Sequence, residues 1–211
     1  MQEWHAFVAA LRVGGIIVYP LLALAVVAMV VILDKAFIFV ARARLSSAIA
    51  AVVEAEPFSW EDTEQRLGEV PGRNIYTGFL HLIVRQRKQP VWWLESRAAD
   101  EAARVEKLLG RWLWVLETIV TAAPLLGLLG TISGMIRAFR LFGGEGLVDP
   151  RGVTGGVAEA LIATAVGLFI ALVALFAFNY FSHQQAQVMD DLERLGTSLV
   201  DRIRLEERTE A

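Results

Sequence analysis

Three stretches without a charged side chain decide what this chain can be. Residues 13–33 form a run of 21, residues 118–136 one of 19, and residues 160–189 one of 30 that is broken in polarity only by His183. A helix needs about 20 apolar residues to cross the hydrocarbon core of a bilayer. The three runs therefore predict an all-α integral membrane protein with three transmembrane helices. The first run could also serve as a signal peptide, with Ala41-Arg42-Ala43 imitating a cleavage site. Its length, the intervening Asp34 and Lys35, and a preceding segment with no basic cluster favour a retained span.

Lysine and arginine set the orientation. Residues 42–112 hold eleven of them, residues 182–211 four, and residues 1–12 and 141–153 one each. The N-terminus and the 142–153 loop should face out, and the 41–112 segment and the tail should face the cytoplasm. The layout is an interfacial helix over 1–14, spans over 15–40, 113–141 and 154–182, a cytoplasmic helical domain over 41–112, and a C-terminal cytoplasmic helix over 183–211.

Several function classes fall away. Net charge is only −3, which suggests neither a nucleic-acid partner nor an acidic substrate. The chain has no cysteine, and His5, His81 and His183 stand too far apart for metal-ligand spacing, so no cofactor or metal is expected. No phosphate-cradling glycine loop, GxSxG or HExxH motif occurs, so an enzyme is not expected.

Helical patterning fills the polar segments. Trp4, Phe7, Val8 and Leu11 share one face of the first element, with Trp4 suited to the headgroup level. Leu45, Ile49, Val52 and Val53 form a stripe that Pro57 ends. Ser59-Trp60-Glu61-Asp62 has capping-box spacing, Pro71-Gly72 marks a turn, and Ile75, Phe79, Leu82 and Ile83 line a further helix that stops near Pro90. Ala98, Ala102, Val105, Leu109 and Trp112 continue the helical period, which predicts one helix from about 95 to 141. Beyond the third span, Val188, Leu192, Leu195, Leu199 and Ile203 need a partner surface, either the 95–112 helix or a neighbouring subunit.

Glu159 lies one to two turns inside the third span. An acid there faces a bundle interior or a wet cavity, or else sits at headgroup level near a helix N-terminus. Thr131 and Thr164, on antiparallel helices, each lie ten residues from the expected outer end, so they should share one depth. They could line a polar path, or each could bond a carbonyl of its own helix. Gly127, Gly130 and Gly134 read as a close-packing face, and Pro124 as a point where the helix can bend. Arg137 and Arg140 read as snorkelling anchors, one of which could pair with Glu159. Asp34-Lys35 reads as a local surface pair, and His183 as an interfacial residue.

The runs 122–131 (AAPLLGLLGT) through Gly134-Met135, and 158–168 (AEALIATAVGL), resemble the second-span and third-span signatures of the MotA/TolQ/ExbB proton-channel family. The resemblance covers about residues 13–185. Three spans make it similar to ExbB and TolQ rather than to the four-span MotA, and most like ExbB. It implies a homopentamer in the bacterial inner membrane, with a periplasmic N-terminus and a cytoplasmic C-terminus. The second and third helices would line a pore holding two copies of a small single-span partner, ExbD or TolR. A carboxylate on that partner would carry protons, and force would pass to TonB or TolA. Glu159, Thr131 and Thr164 match polar pore-facing positions, and Pro124 and the glycines would shape the pore. The alternatives are a TolQ-like subunit, a scaffold without ion flow, and a channel that conducts alone.

Overall fold

The computed structural model describes residues 16–43, 45, 49, 58–69, 74–140 and 150–210. Within them the chain forms α1 (Val18–Arg42), α2 (Trp60–Glu69), α3 (Ile75–Arg85), α4 (Val91–Gly110), α5 (Leu113–Arg140) and α6 (Pro150–Glu210). No strand occurs among the described residues. The expected interfacial helix over 1–14, the Pro71-Gly72 turn and most of the 142–153 loop lie outside them. Of the stripe that begins at Leu45, only Leu45 and Ile49 are described, and Ile49 is buried.

Three helical stretches, Val18–Arg42, Val91–Arg140 and Gly152–Arg208, are long and apolar enough to cross a membrane. Their apolar faces point outward: Tyr19, Val26, Val30, Phe37 and Val40 on α1, Leu125, Ile132 and Phe139 on α5, and Leu161, Phe169 and Phe176 on α6 are all exposed. Lipid or other subunits must cover such surface, because water would not tolerate it.

The chain divides into two compact units. The first comprises residues 1–32 and 112–180, the second 33–111 and 181–211. In the first, α5 and the first half of α6 pack as an antiparallel pair. Gly127 lies against Thr164, Gly130 against Ala163, and Gly134 against Ala160.

The second unit has a conventional apolar core. Tyr76, Phe79, Leu80, Ile83 and Val84 give α3 one buried face, and Leu94, Val105 and Leu109 do so for α4. Both close against α6, whose Val188, Leu192, Leu195, Leu199 and Ile203 are all buried. A partner for that stripe is thus supplied within the chain. A Cβ on Gly196 would stand 3.1 Å from the Phe79 ring, so α3 approaches α6 closely there. Local signals place the helix starts. Ser59 precedes α2, its carbonyl accepting from Thr63 Oγ1 at 2.7 Å, and Asn74 Oδ1 caps α3 by accepting from the Tyr76 amide at 2.9 Å. Tyr76 donates its hydroxyl to Asp191 on α6 at 3.1 Å. Burial and the Asp191 carboxylate push the phenol up, so it remains a donor at neutral pH.

Two expectations need correction. The helix from 95 to 141 is not continuous: α4 starts earlier, at Val91, and ends at Gly110, and α5 begins at Leu113. Between them Trp112 takes φ 68°, a left-handed conformation unfavourable for a bulky side chain. Asp34-Lys35 is not a surface pair either, since Lys35 is fully buried. Its Nζ donates to Leu109 O at 2.8 Å and to Leu108 O at 3.4 Å. Those carbonyls would take the amides of Leu113 and Trp112 if the helix ran on. The ammonium replaces both donors and opposes the negative end of α4's dipole, which stabilises the break.

Replacing Lys35 with methionine keeps the bulk but leaves those carbonyls without a donor. The expected destabilisation is about 2 kcal/mol or more. It should appear as a lower thermal midpoint of the purified protein, and an unchanged midpoint would show that the lysine is not what holds the helix end.

Candidate functional site

Small residues make the site possible. On α5, Gly127, Gly130 and Gly134 repeat at intervals of three and four, so they fall on one face. The facing surface of α6 carries Gly156, Ala160, Ala163 and Gly167. A Cβ on Gly130 would come within 2.5 Å of Ala163 Cβ, and one on Gly167 within 2.5 Å of the Ala123 carbonyl. Neither position can hold even alanine without movement of the helices. The glycines of α5 thus stand where the two helices approach most closely. Its α6 counterpart was overlooked, although Gly156-xxx-Ala160 and Ala163-xxx-Gly167 carry the same small-xxx-small signal. Pro124 lies inside α5, one turn before Gly127.

Such close approach brings polar groups of the two helices within reach. Thr164 Oγ1 donates across the seam to Gly127 O at 2.8 Å. Thr131 Oγ1 instead donates to Leu128 O of its own helix at 2.7 Å. The paired positions 127/164, 130/163 and 134/160 put Thr131 within about one turn, ~5 Å, of Thr164 along the axis. The two hydroxyls share a depth to that tolerance but face different acceptors. Thr164→Val should therefore weaken the α5–α6 pair by about 0.6–1 kcal/mol. Thr131→Val should cost near zero, since its bond stays within one turn. Equal losses in a chemical-denaturation comparison would contradict this assignment.

One turn outward from Ala163, Glu159 forms an ion pair with Arg137 of α5. Arg137 also donates to Ser133 Oγ at 3.1 Å, which orients the guanidinium along its own helix. The Glu159 side chain is 20 % exposed and Arg137's 44 %. The carboxylate therefore belongs to the helix interface, with its cation supplied by the neighbouring helix. Of the two arginines expected near that end, it is Arg137 that makes the pair. Helix α6 begins at Pro150, four residues before the expected start, so Glu159 lies more than two turns inside it.

The seam can do two things chemically. It presents a fixed positive–negative pair beside an otherwise apolar wall. It also holds the helix backbones so close that the pair and Thr164 keep their places. A pair of this kind, in a setting where isolated charge is costly, gives a passing ionisable group a position-dependent energy.

The family described as the MotA/TolQ/ExbB proton channel family matches residues 69–194, a stretch containing α3, α4, α5 and most of α6. An ExbB-like biopolymer transport protein of Synechocystis sp. is 32 % identical over 176 residues, covering 80 % of this chain and 81 % of the relative. The biopolymer transport protein ExbB of Xanthomonas campestris is 41 % identical over 87 residues, which is 41 % of this chain and 34 % of that protein. That of Aquifex aeolicus is 33 % identical over 93 residues, 44 % of this chain and 63 % of the relative. The matched region carries both helices of the seam, with Arg137, Glu159 and Thr164, and on it the chain belongs to the MotA/TolQ/ExbB proton channel family.

Proposed function

We propose that this chain is an ExbB-like motor subunit of the bacterial inner membrane, using the proton motive force to energise TonB-dependent import across the outer membrane. Five copies form a ring, with α5 and α6 lining a central pore. Two copies of an ExbD-like single-span protein place their helices in that pore, and a TonB-like protein takes up the force. The N-terminus is periplasmic and the C-terminus cytoplasmic, an orientation that the lysine and arginine distribution supports.

The observation that carries this reading is the Glu159–Arg137 pair inside the small-residue seam. A partner carboxylate moving along the wall is drawn toward Arg137 when ionised and repelled by Glu159. Once protonated it feels neither. Gain and loss of a proton thus change which position beside the wall is favoured, and that couples proton flow to movement. Thr131 and Thr164 add polar points to the same wall.

Gentle purification from the native membrane, followed by mass spectrometry, tests the assembly. A small single-span protein with an acidic residue in its helix should come with the chain, accompanied by a TonB-like protein. A homo-oligomer alone, across several mild detergents, would contradict the motor reading.

A further inference from the structure

A second polar site lies in the other unit, on residues that the seam does not use. A pocket of about 600 Å³ is lined by Arg42, His81, Arg104, Thr77, Asn74 and Glu101, among others. Arg42 is the last residue of α1, a 25-residue apolar helix, so the pocket opens where that span ends. Arg104 is paired with Glu101 at 3.2 Å, which leaves Arg42 as the net positive charge of the lining. The His81 ring reaches it from α3, with Nδ1 buried and lacking a hydrogen-bond partner. A ring nitrogen that carries its proton could donate to an anion in the pocket.

Two glycines on the lining add a second line of argument. Gly68 and Gly78 lie within α2 and α3, where glycine is unfavourable. A Cβ at either would meet nothing within 4 Å, so packing does not call for them. Their effect is to leave the pocket open.

We infer that this pocket holds the phosphodiester headgroup of an anionic membrane lipid, with Arg42 and Arg104 as its cationic contacts. Charge selects the ligand class. One net positive charge matches a phosphodiester, which carries one negative charge, better than inorganic phosphate, which carries between one and two at neutral pH. The position of Arg42 at the end of a membrane-spanning helix selects a lipid as the source. Basic pockets beside such helix ends are suited to headgroups.

The test uses the full-length protein as purified in mild detergent. Its thermal midpoint is measured with added phosphatidylglycerol, phosphatidylcholine or inorganic phosphate. Phosphatidylglycerol should raise the midpoint in a concentration-dependent way, and the other two should not. Arg42→Gln should weaken the apparent affinity about tenfold, the loss of one charge-assisted contact. Gly78→Leu should block the pocket without touching a charge. Persistence of the phosphatidylglycerol shift in both variants would overturn the site. An equal shift from phosphatidylcholine, or a shift from inorganic phosphate alone, would overturn the lipid headgroup as its ligand.

Discussion

Gly130→Leu is expected to separate α5 from α6 and to abolish the folded membrane unit. The first added carbon alone would stand 2.5 Å from Ala163 Cβ, and three more follow it. Ala163 belongs to the facing surface of α6 and its Cβ cannot turn away, so relief requires moving a helix rather than turning a side chain. Overpacking in a well-packed interior costs about 1–3 kcal/mol, and a branched side chain forced into a backbone-to-backbone contact should exceed the top of that range. In lipid the loss is not recovered by hydrophobic burial elsewhere, because the tails are as apolar as leucine and packing itself holds the helices together. Gly155→Ala is the matched control on α6. A Cβ there meets nothing within 4 Å, so the change should be neutral or slightly stabilising. Recovery of folded protein after detergent extraction distinguishes the two. Normal recovery of Gly130→Leu would show that the seam is not as tight as described.

What the sequence revealed and what it hid follow from the range of each signal. The three spans rest on charge-free runs and the Val188–Ile203 stripe on periodicity, each within one segment, and the structure buries every residue of that stripe. The spacing of Gly130 and Gly134 is a local signal of the same kind. The Arg137–Glu159 pair could be half seen, because both residues lie toward the same end of neighbouring spans, but the choice between Arg137 and Arg140 depends on helix rotation. Rotation also separates Thr164, which crosses the seam, from Thr131, which does not. Lys35 was invisible in its true role. A lysine beside an aspartate at a helix end looks like a surface pair, and the carbonyls it serves lie 73 and 74 residues away in sequence. The break at Arg111-Trp112 was hidden with it, since no proline marks it and the donor that serves its free carbonyls is that distant lysine. The Arg42 pocket likewise draws its lining from four separate helices, and no local pattern announces it.

The second large effect concerns Glu159. Glu159→Ala removes the negative half of the pair and leaves Arg137 without its partner in an apolar setting. Assembly should survive, because the glycine and alanine contacts of the seam are untouched. Coupling should not. A partner carboxylate would still be attracted to Arg137 but would meet no opposing charge beside it, so protonation would no longer change its favoured position in the same way. Charge reversal at both positions, Glu159→Arg with Arg137→Glu, should restore the pair as a contact while inverting its order along the wall. Assembly is again expected and transport is not.

The most direct test of the motor reading is therefore energised outer-membrane uptake in cells whose only copy of this chain carries Glu159→Ala, measured together with the amount of assembled complex. The expected result is wild-type assembly with uptake reduced to the level of cells lacking the chain. Uptake at the wild-type rate from a normally assembled Glu159→Ala complex would contradict the account and leave the chain as a scaffold.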